Sequence, residues 1–133
     1  HGDMGDFPPI MMWPKPVQKP YPPVIVGGAW PYAARRAVRY GDGWIPMLAQ
    51  QENTFDLKTE RMAELATLAN EAGRAPYPIT TFGTPRDPNA ISRLAAQGVT
   101  RCIFGIKAAP TDDVLPRLGK ISRMVSEVRT GDG

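Results

Sequence analysis

At 133 residues, with 42% apolar and 22% charged side chains, the chain is long enough for one domain with a real core and too short for two comfortable ones. Its net charge of +3 comes from basic residues interspersed with acidic ones, which argues against the clustered basic face that nucleic-acid binding needs. No apolar run approaches the ~18 residues of a membrane span, no leader-like segment opens the chain, and one cysteine suits a reducing compartment, so no membrane partner and a cytoplasmic location are expected.

The chain opens on His1 and not on methionine, as a processed chain or a fragment would. Eight of the fifteen prolines fall within the first 31 residues. Runs such as Phe7-Pro8-Pro9-Ile10, Trp13-Pro14-Lys15-Pro16 and Lys19-Pro20-Tyr21-Pro22-Pro23 cannot form helix, and proline removes ladder donors from a strand. Residues 1–23 are therefore read as an extended, Pro-rich segment. A flexible linker or a ligand for an SH3-type module would have this composition too. The interleaved Phe7, Ile10, Met11, Met12, Trp13 and Tyr21 instead predict a segment packed onto the domain.

Val24-Ile25-Val26 then reads as a strand buried on both faces, and it ends in Gly27-Gly28. Two glycines let the backbone turn sharply and let a ligand approach without meeting a Cβ. Pro31 suits the first turn of the helix that follows, and the free N–H groups of such a helix start attract anions, phosphate above all. Tightness alone is the competing explanation of the glycine pair. From Pro31 to Tyr40 the chain reads as a short helix with Ala33, Ala34, Ala37 and Val38 as its apolar stripe and Gly41 as a C′ residue. Arg35, Arg36 and Arg39 face solvent or an anion on this reading.

Trp44-Ile45-Pro46-Met47 is a second strand. Asn53 or Thr54 caps the next helix, with Asp56 in its first turn, Leu57, Met62, Leu65, Ala66, Ala69 and Ala72 at helical spacing, and Gly73 as its stop. Ile79 to Gly83 is a third strand, Asp87-Pro88 opens a helix ending at Gly98, and Arg101 to Ile106 is a fourth strand. A last helix starts at Thr111-Asp112-Asp113 or, if Pro116 shifts it, at Leu115, and carries Leu115, Leu118, Ile121, Val125 and Val128 on one face. Residues 130–133 read as a frayed, disordered tail. The β-α-β-α-β-α-β-α order predicts an α/β fold of four parallel strands alternating with helices over residues 24–129. Four such units make a small open sheet, or half of an eight-stranded barrel.

Candidate catalytic groups are few, and the catalytic residues stay unknown. His1 is the only histidine and nothing fixes its position. Cys102 lies among apolar neighbours and reads as a buried core thiol. No Cys/His spacing suits a metal, and Asp112-Asp113 is explained by capping. Ligands of open α/β sheets and barrels sit at the C-terminal ends of the strands, which here are Gly27-Gly28-Ala29, Pro46-Met47, Gly83-Thr84 and Gly105. Backbone groups, not acids or bases, are on offer there.

The run from Trp13 to Gly28, with Lys15-Pro16-Val17-Gln18-Lys19-Pro20 and Pro22-Pro23-Val24-Ile25-Val26-Gly27-Gly28, followed by Gly41-Asp42-Gly43-Trp44, resembles the luciferase-like monooxygenase family, and within it the coenzyme F-420-dependent oxidoreductase branch. Ile79 to Pro85, the Ala96-Gln97-Gly98-Val99 turn and Arg101 to Gly105 fit the same pattern. The resemblance implies the C-terminal half of a TIM-type (β/α)8 barrel, with residues 1–23 as the end of an insertion and the four strands as strands five to eight. It implies that Gly27, Gly28, Ala29 and Tyr32 hold the phosphate of the cofactor, coenzyme F-420 or alternatively FMN, and that Pro46 and Met47 border it. The implied activity is hydride transfer between the reduced cofactor and a small organic substrate, or monooxygenation with FMN, with the isolated chain inactive. A non-catalytic nucleotide- or protein-binding module is the alternative of a different class. Two unpaired strand edges and an open apolar face predict self-association or a homo-oligomer.

Overall fold

The computed structural model describes residues 2–11, 13–47, 57–74 and 76–130. Its elements run β1 (Ile25–Gly28), α1 (Tyr32–Tyr40), β2 (Gly43–Pro46), α2 (Thr59–Glu71), β3 (Ile79–Phe82), α3 (Pro88–Ala96), β4 (Val99–Ile103) and α4 (Thr111–Thr130). The four strands pair in parallel in the order β1-β2-β3-β4, so α1, α2 and α3 each lie in a crossover to the neighbouring strand. This is the predicted α/β arrangement, with β1 and β4 as the two edges.

Alternation along the strands sorts the side chains onto two faces. Val26 and Trp44 are register partners and face the helices, where Trp44 is buried among Ala33, Ala34, Leu65 and Leu94. Ile25, Gly27 and Phe82 lie on the opposite face, and Phe82 is 67% exposed. As an edge strand, β1 is only half-buried rather than enclosed on both faces.

The helices form where alanine and leucine recur at helical spacing. Ala33, Ala34, Ala37 and Val38 are the buried stripe of α1. Gly41 closes α1 with its N–H on the Ala37 carbonyl, but its backbone is extended and not left-handed. Glycine is required there for space, because a Cβ would sit 2.7 Å from Val26 Cγ2. At the end of α2, Gly73 does adopt a positive φ of 65°, and the Arg74 N–H returns to the Ala69 carbonyl as in a Schellman turn. Asp87 caps α3 by accepting from the N–H groups of Asn89 and Ala90 at 3.1 and 3.2 Å.

Several expectations are corrected. The helix α2 starts at Thr59 behind Lys58, so Leu57 precedes it as a separately buried core residue whose N–H donates to Gln97 Oε1. Asn53, Thr54 and Asp56 lie outside the described residues. Leu65 and Ala69 are buried on α2 while Ala66 and Ala72 are exposed, because a helix that packs against α1 alone buries a narrow stripe. The strand β4 begins two residues early, at Val99, directly after Gly98 with φ 89°, and ends at Ile103. Pro116 lies within α4, which starts at Thr111 with the N–H groups of Asp113 and Val114 on the Pro110 carbonyl. That helix packs against α3 and not against the sheet, so Leu115 and Leu118 stay 59% and 46% exposed. The N-terminal segment does not pack onto the domain: Phe7, Ile10 and Trp13 are 63%, 72% and 71% exposed. An extended, Pro-rich backbone presents no continuous apolar face, and Trp13 finds only the Lys15 ammonium, 5.5 Å from its ring. Met12 is not described.

A polar hub ties the β1-α1-β2 unit to the segment after α2. Arg74 donates to the carbonyls of Val38 and Gly41, lies 3.6 Å from the Asp42 carboxylate, and sits over the Tyr77 ring. Tyr77, itself buried, donates its hydroxyl to the Ala37 carbonyl at 2.5 Å. Asp42 in turn accepts from the Val24 N–H and donates its own N–H to the Val24 carbonyl. Burial raises the Tyr77 phenol above its ordinary value of 10.0, with Arg74 opposing and Asp42 adding to the shift. A phenol whose pKa rises on folding contributes stability that is complete below pH ~10 and is lost as pH climbs through the raised value. Tyr77→Phe should cost about 1 kcal/mol at neutral pH in urea unfolding and should flatten the fall in stability above the ordinary phenol value. An unchanged alkaline slope would detach Tyr77 from that fall.

Candidate functional site

The C-terminal ends of β1 and β2 meet where Gly28 and Pro46 are register partners. The Gly28 carbonyl is drawn inward by two donors, the Met47 N–H and the Trp44 indole N–H, each at 3.2 Å. Trp44 is fixed for this task by burial and by the Trp30 ring, whose centroid lies 6.0 Å away. The chain then turns through Ala29, whose carbonyl accepts from the Ala33 N–H and so begins α1.

The two glycines have different roles. Gly28 has φ 133°, and a Cβ there would lie 2.9 Å from the Ala33 Cβ, so glycine lets α1 seat closely on the strand. At Gly27 a Cβ would meet nothing within 4 Å, so the strand backbone is bare on the open face. Open space belongs to Gly27 and helix packing to Gly28. The sequence alone does not divide them.

The other candidate residues fall around this turn in two groups. Gly27, Ala29, Tyr32 and Met47 are exposed, Tyr32 and Met47 at 73% and 71%. Pro46 is buried and has no N–H, so it shapes the strand end from behind without offering a contact at the surface. At the next strand ends, Thr81 and Thr84 spend their hydroxyls on each other at 2.9 Å, and Thr81 also reaches Cys102 Sγ at 3.6 Å. Cys102 is half-buried rather than fully enclosed. His1 lies outside the described residues.

One contributor was only loosely indicated by sequence. Of the three arginines on α1, Arg35 pairs with Glu64 at 3.6 Å, whereas the Arg36 guanidinium reaches to within 3.9 Å of where a Gly28 Cβ would stand. No acidic residue occupies the first turn of α1 and no side chain caps it. A cation and the positive end of a helix thus meet beside Gly28, and this pair suits an anion, while the bare backbone of Gly27 looks out from the opposite face of the strand.

The sequence profile of the luciferase-like monooxygenases matches residues 1–86. The chain belongs to the luciferase-like monooxygenase family. Uncharacterized proteins of Mycobacterium bovis and of two strains of Mycobacterium tuberculosis are each 34% identical to it over 118 residues, covering 84% of this chain and 38% of theirs. The chain therefore spans well under half the length of the curated relatives it matches. No solved structure was found to match. Members of the family are in general oxidoreductases or monooxygenases that use flavin or F-420 cofactors, and the four parallel strands alternating with helices agree with part of a luciferase-like TIM barrel. Among the described residues no helix is long and apolar enough to cross a membrane.

The split between the glycines is measurable. Gly28→Ala should destabilise the fold by about 2 to 4 kcal/mol, from backbone strain and the collision with Ala33. Gly27→Ala should change stability by less than about 1 kcal/mol. Equal losses in denaturant unfolding would remove the distinction.

Proposed function

We propose that this chain is the C-terminal half of a luciferase-like oxidoreductase barrel, with β1 to β4 standing as strands five to eight and the Gly27-Gly28 turn holding the phosphate of coenzyme F-420. The observation that carries the reading is the Arg36 guanidinium beside Gly28 at the start of α1, which no side chain caps. The strand order and the 38% coverage of the relatives support the half-barrel part of it.

The residues present fit a phosphate-tailed cofactor. In this reading Arg36 and the start of α1 receive the phosphate beside Gly28, Gly27 leaves the open face of the strand clear, and the exposed Tyr32 and Met47 flank the remainder of the cofactor. When bound, the reduced deazaflavin supplies a hydride to an organic substrate, and the protein orients the partners and excludes water. FMN, with oxygen as co-substrate, is the alternative occupant of the same turn. The isolated chain is inactive in this reading, because among the described residues no carboxylate, histidine or thiol stands exposed at the strand ends.

The test uses the protein with its barrel complete. Turnover should follow reduced F-420, and Arg36→Gln should weaken cofactor binding about tenfold in absorbance-monitored dialysis. Turnover with reduced FMN and oxygen but none with reduced F-420 would move the assignment to FMN. Cofactor binding unchanged by Arg36→Gln would remove the turn from the site. The 133-residue chain alone should self-associate through its open edges and face, and a clean monomer by light scattering at tens of micromolar would contradict the half-barrel reading.

A further inference from the structure

A second concentration of positive charge lies away from the glycine turn. The loop after β3, the loop after β4 and the middle of α4 enclose a cleft of about 620 Å³ that receives Arg86, Lys107, Arg117 and Lys120. Three separate stretches of chain deliver these cations. One carboxylate, Glu127, also lines the cleft, against a whole-chain ratio of 16 basic to 13 acidic residues. Among the described residues, Lys107, Arg117 and Lys120 form no ion pair.

A solvated surface alternates its charges. A concave wall lined by one sign raises the local concentration of counter-ions and is costly to leave uncompensated. Arg86 is also fixed in advance: its guanidinium donates to the Gly105 carbonyl, which joins the two loops. Arg117 and Lys120 stand three residues apart on α4 and so share one side of the helix. Between the cations, buried Ile121 and half-buried Met124 provide an apolar floor.

We propose that this cleft binds an organic phosphate. Four cations match an anion carrying more than one charge, and the planar arginine forks suit phosphate oxygens better than a single carboxylate. The apolar floor takes the organic part. The site is formed by β3, β4 and α4 and does not depend on the reading of the Gly27-Gly28 turn.

The experiment titrates the chain with phenyl phosphate, pyrophosphate and inorganic phosphate at constant ionic strength, with acetate and chloride as controls. Phosphates should bind and the controls should not. Arg117→Gln with Lys120→Gln, both at exposed positions, should weaken phosphate binding about tenfold or more while the far-ultraviolet circular dichroism is unchanged. Lys107→Gln provides an independent second variant with the same expected direction. A preference for phenyl phosphate points to a phosphorylated organic substrate and one for pyrophosphate to a diphosphate-bearing cofactor; either upholds the site. Equal binding of the acetate and chloride controls, or phosphate binding that survives both sets of substitutions, overturns it. Binding lost in Arg36→Gln but kept in the α4 double variant assigns the anion to the glycine turn instead, and overturns it equally.

Discussion

The Arg74 guanidinium is the contact on which the β1-α1-β2 unit depends. A helix leaves its last carbonyls unpaired, and α1 ends inside the structure and not at its surface. Arg74 satisfies one of them at Val38 together with the carbonyl of Gly41 just beyond the helix, and Tyr77 adds a second donor to the Ala37 carbonyl, all from a segment more than thirty residues downstream. Asp42 balances the guanidinium charge and at the same time fixes Val24 at the entry to β1. Removing the arginine would leave the Val38 and Gly41 carbonyls without the donor it supplies and the Asp42 carboxylate without its counter-charge, which is the expensive way to lose a hydrogen bond. The hub is thus at once a helix cap, a strand anchor and the link between α1 and α2.

Its position explains why the opposite end can stay open. The hub clamps the N-terminal ends of β1 and β2, and the Gly27-Gly28 turn lies at their C-terminal ends. Trp44 bridges the two regions, being packed in the core while its indole N–H holds the Gly28 carbonyl. With both the base of the unit and the inner side of the turn fixed, Gly27 can present bare backbone without the strand unravelling. A binding loop on a rigid scaffold needs this division between fixed and exposed parts.

The fold was legible in the sequence wherever local chemistry decides. Glycine and proline punctuate every element, the alanine stripe of α1 is buried as its spacing indicates, and Asp87-Pro88 caps α3. Expectations failed where tertiary contacts decide. Apolar periodicity in α4 does not reveal that the helix touches only α3, and the apolar content of the first 23 residues does not reveal that no surface receives them. The start of α2 moved because Leu57 finds its place in the core before the helix begins. In the candidate site, the glycine pair was readable as a motif. The separate duties of Gly27 and Gly28, the burial of Pro46 and the reach of Arg36 to the turn depend on residues four to eighteen positions apart, and no spacing rule encodes them.

The distribution of apolar surface has the same origin. The core lies entirely between the sheet and the helices α1 and α2, and around Leu94 of α3. The opposite sheet face and the outer side of α4 leave Phe82, Leu115 and Leu118 in water, together with Trp13 and Phe7 of the N-terminal segment. Single exposed apolar residues are ordinary, but large ones gathered at a sheet face, an edge helix and an approach segment are the surfaces a closing barrel would cover. The same incompleteness marks the chemistry. Among the described residues, the exposed groups at the strand ends are backbone, a phenol, a thioether and cations, which suit holding and orienting a ligand. In the proposed barrel a chain equipped this way would hold the anionic end of the cofactor, and the reacting end would rest against the remaining strands.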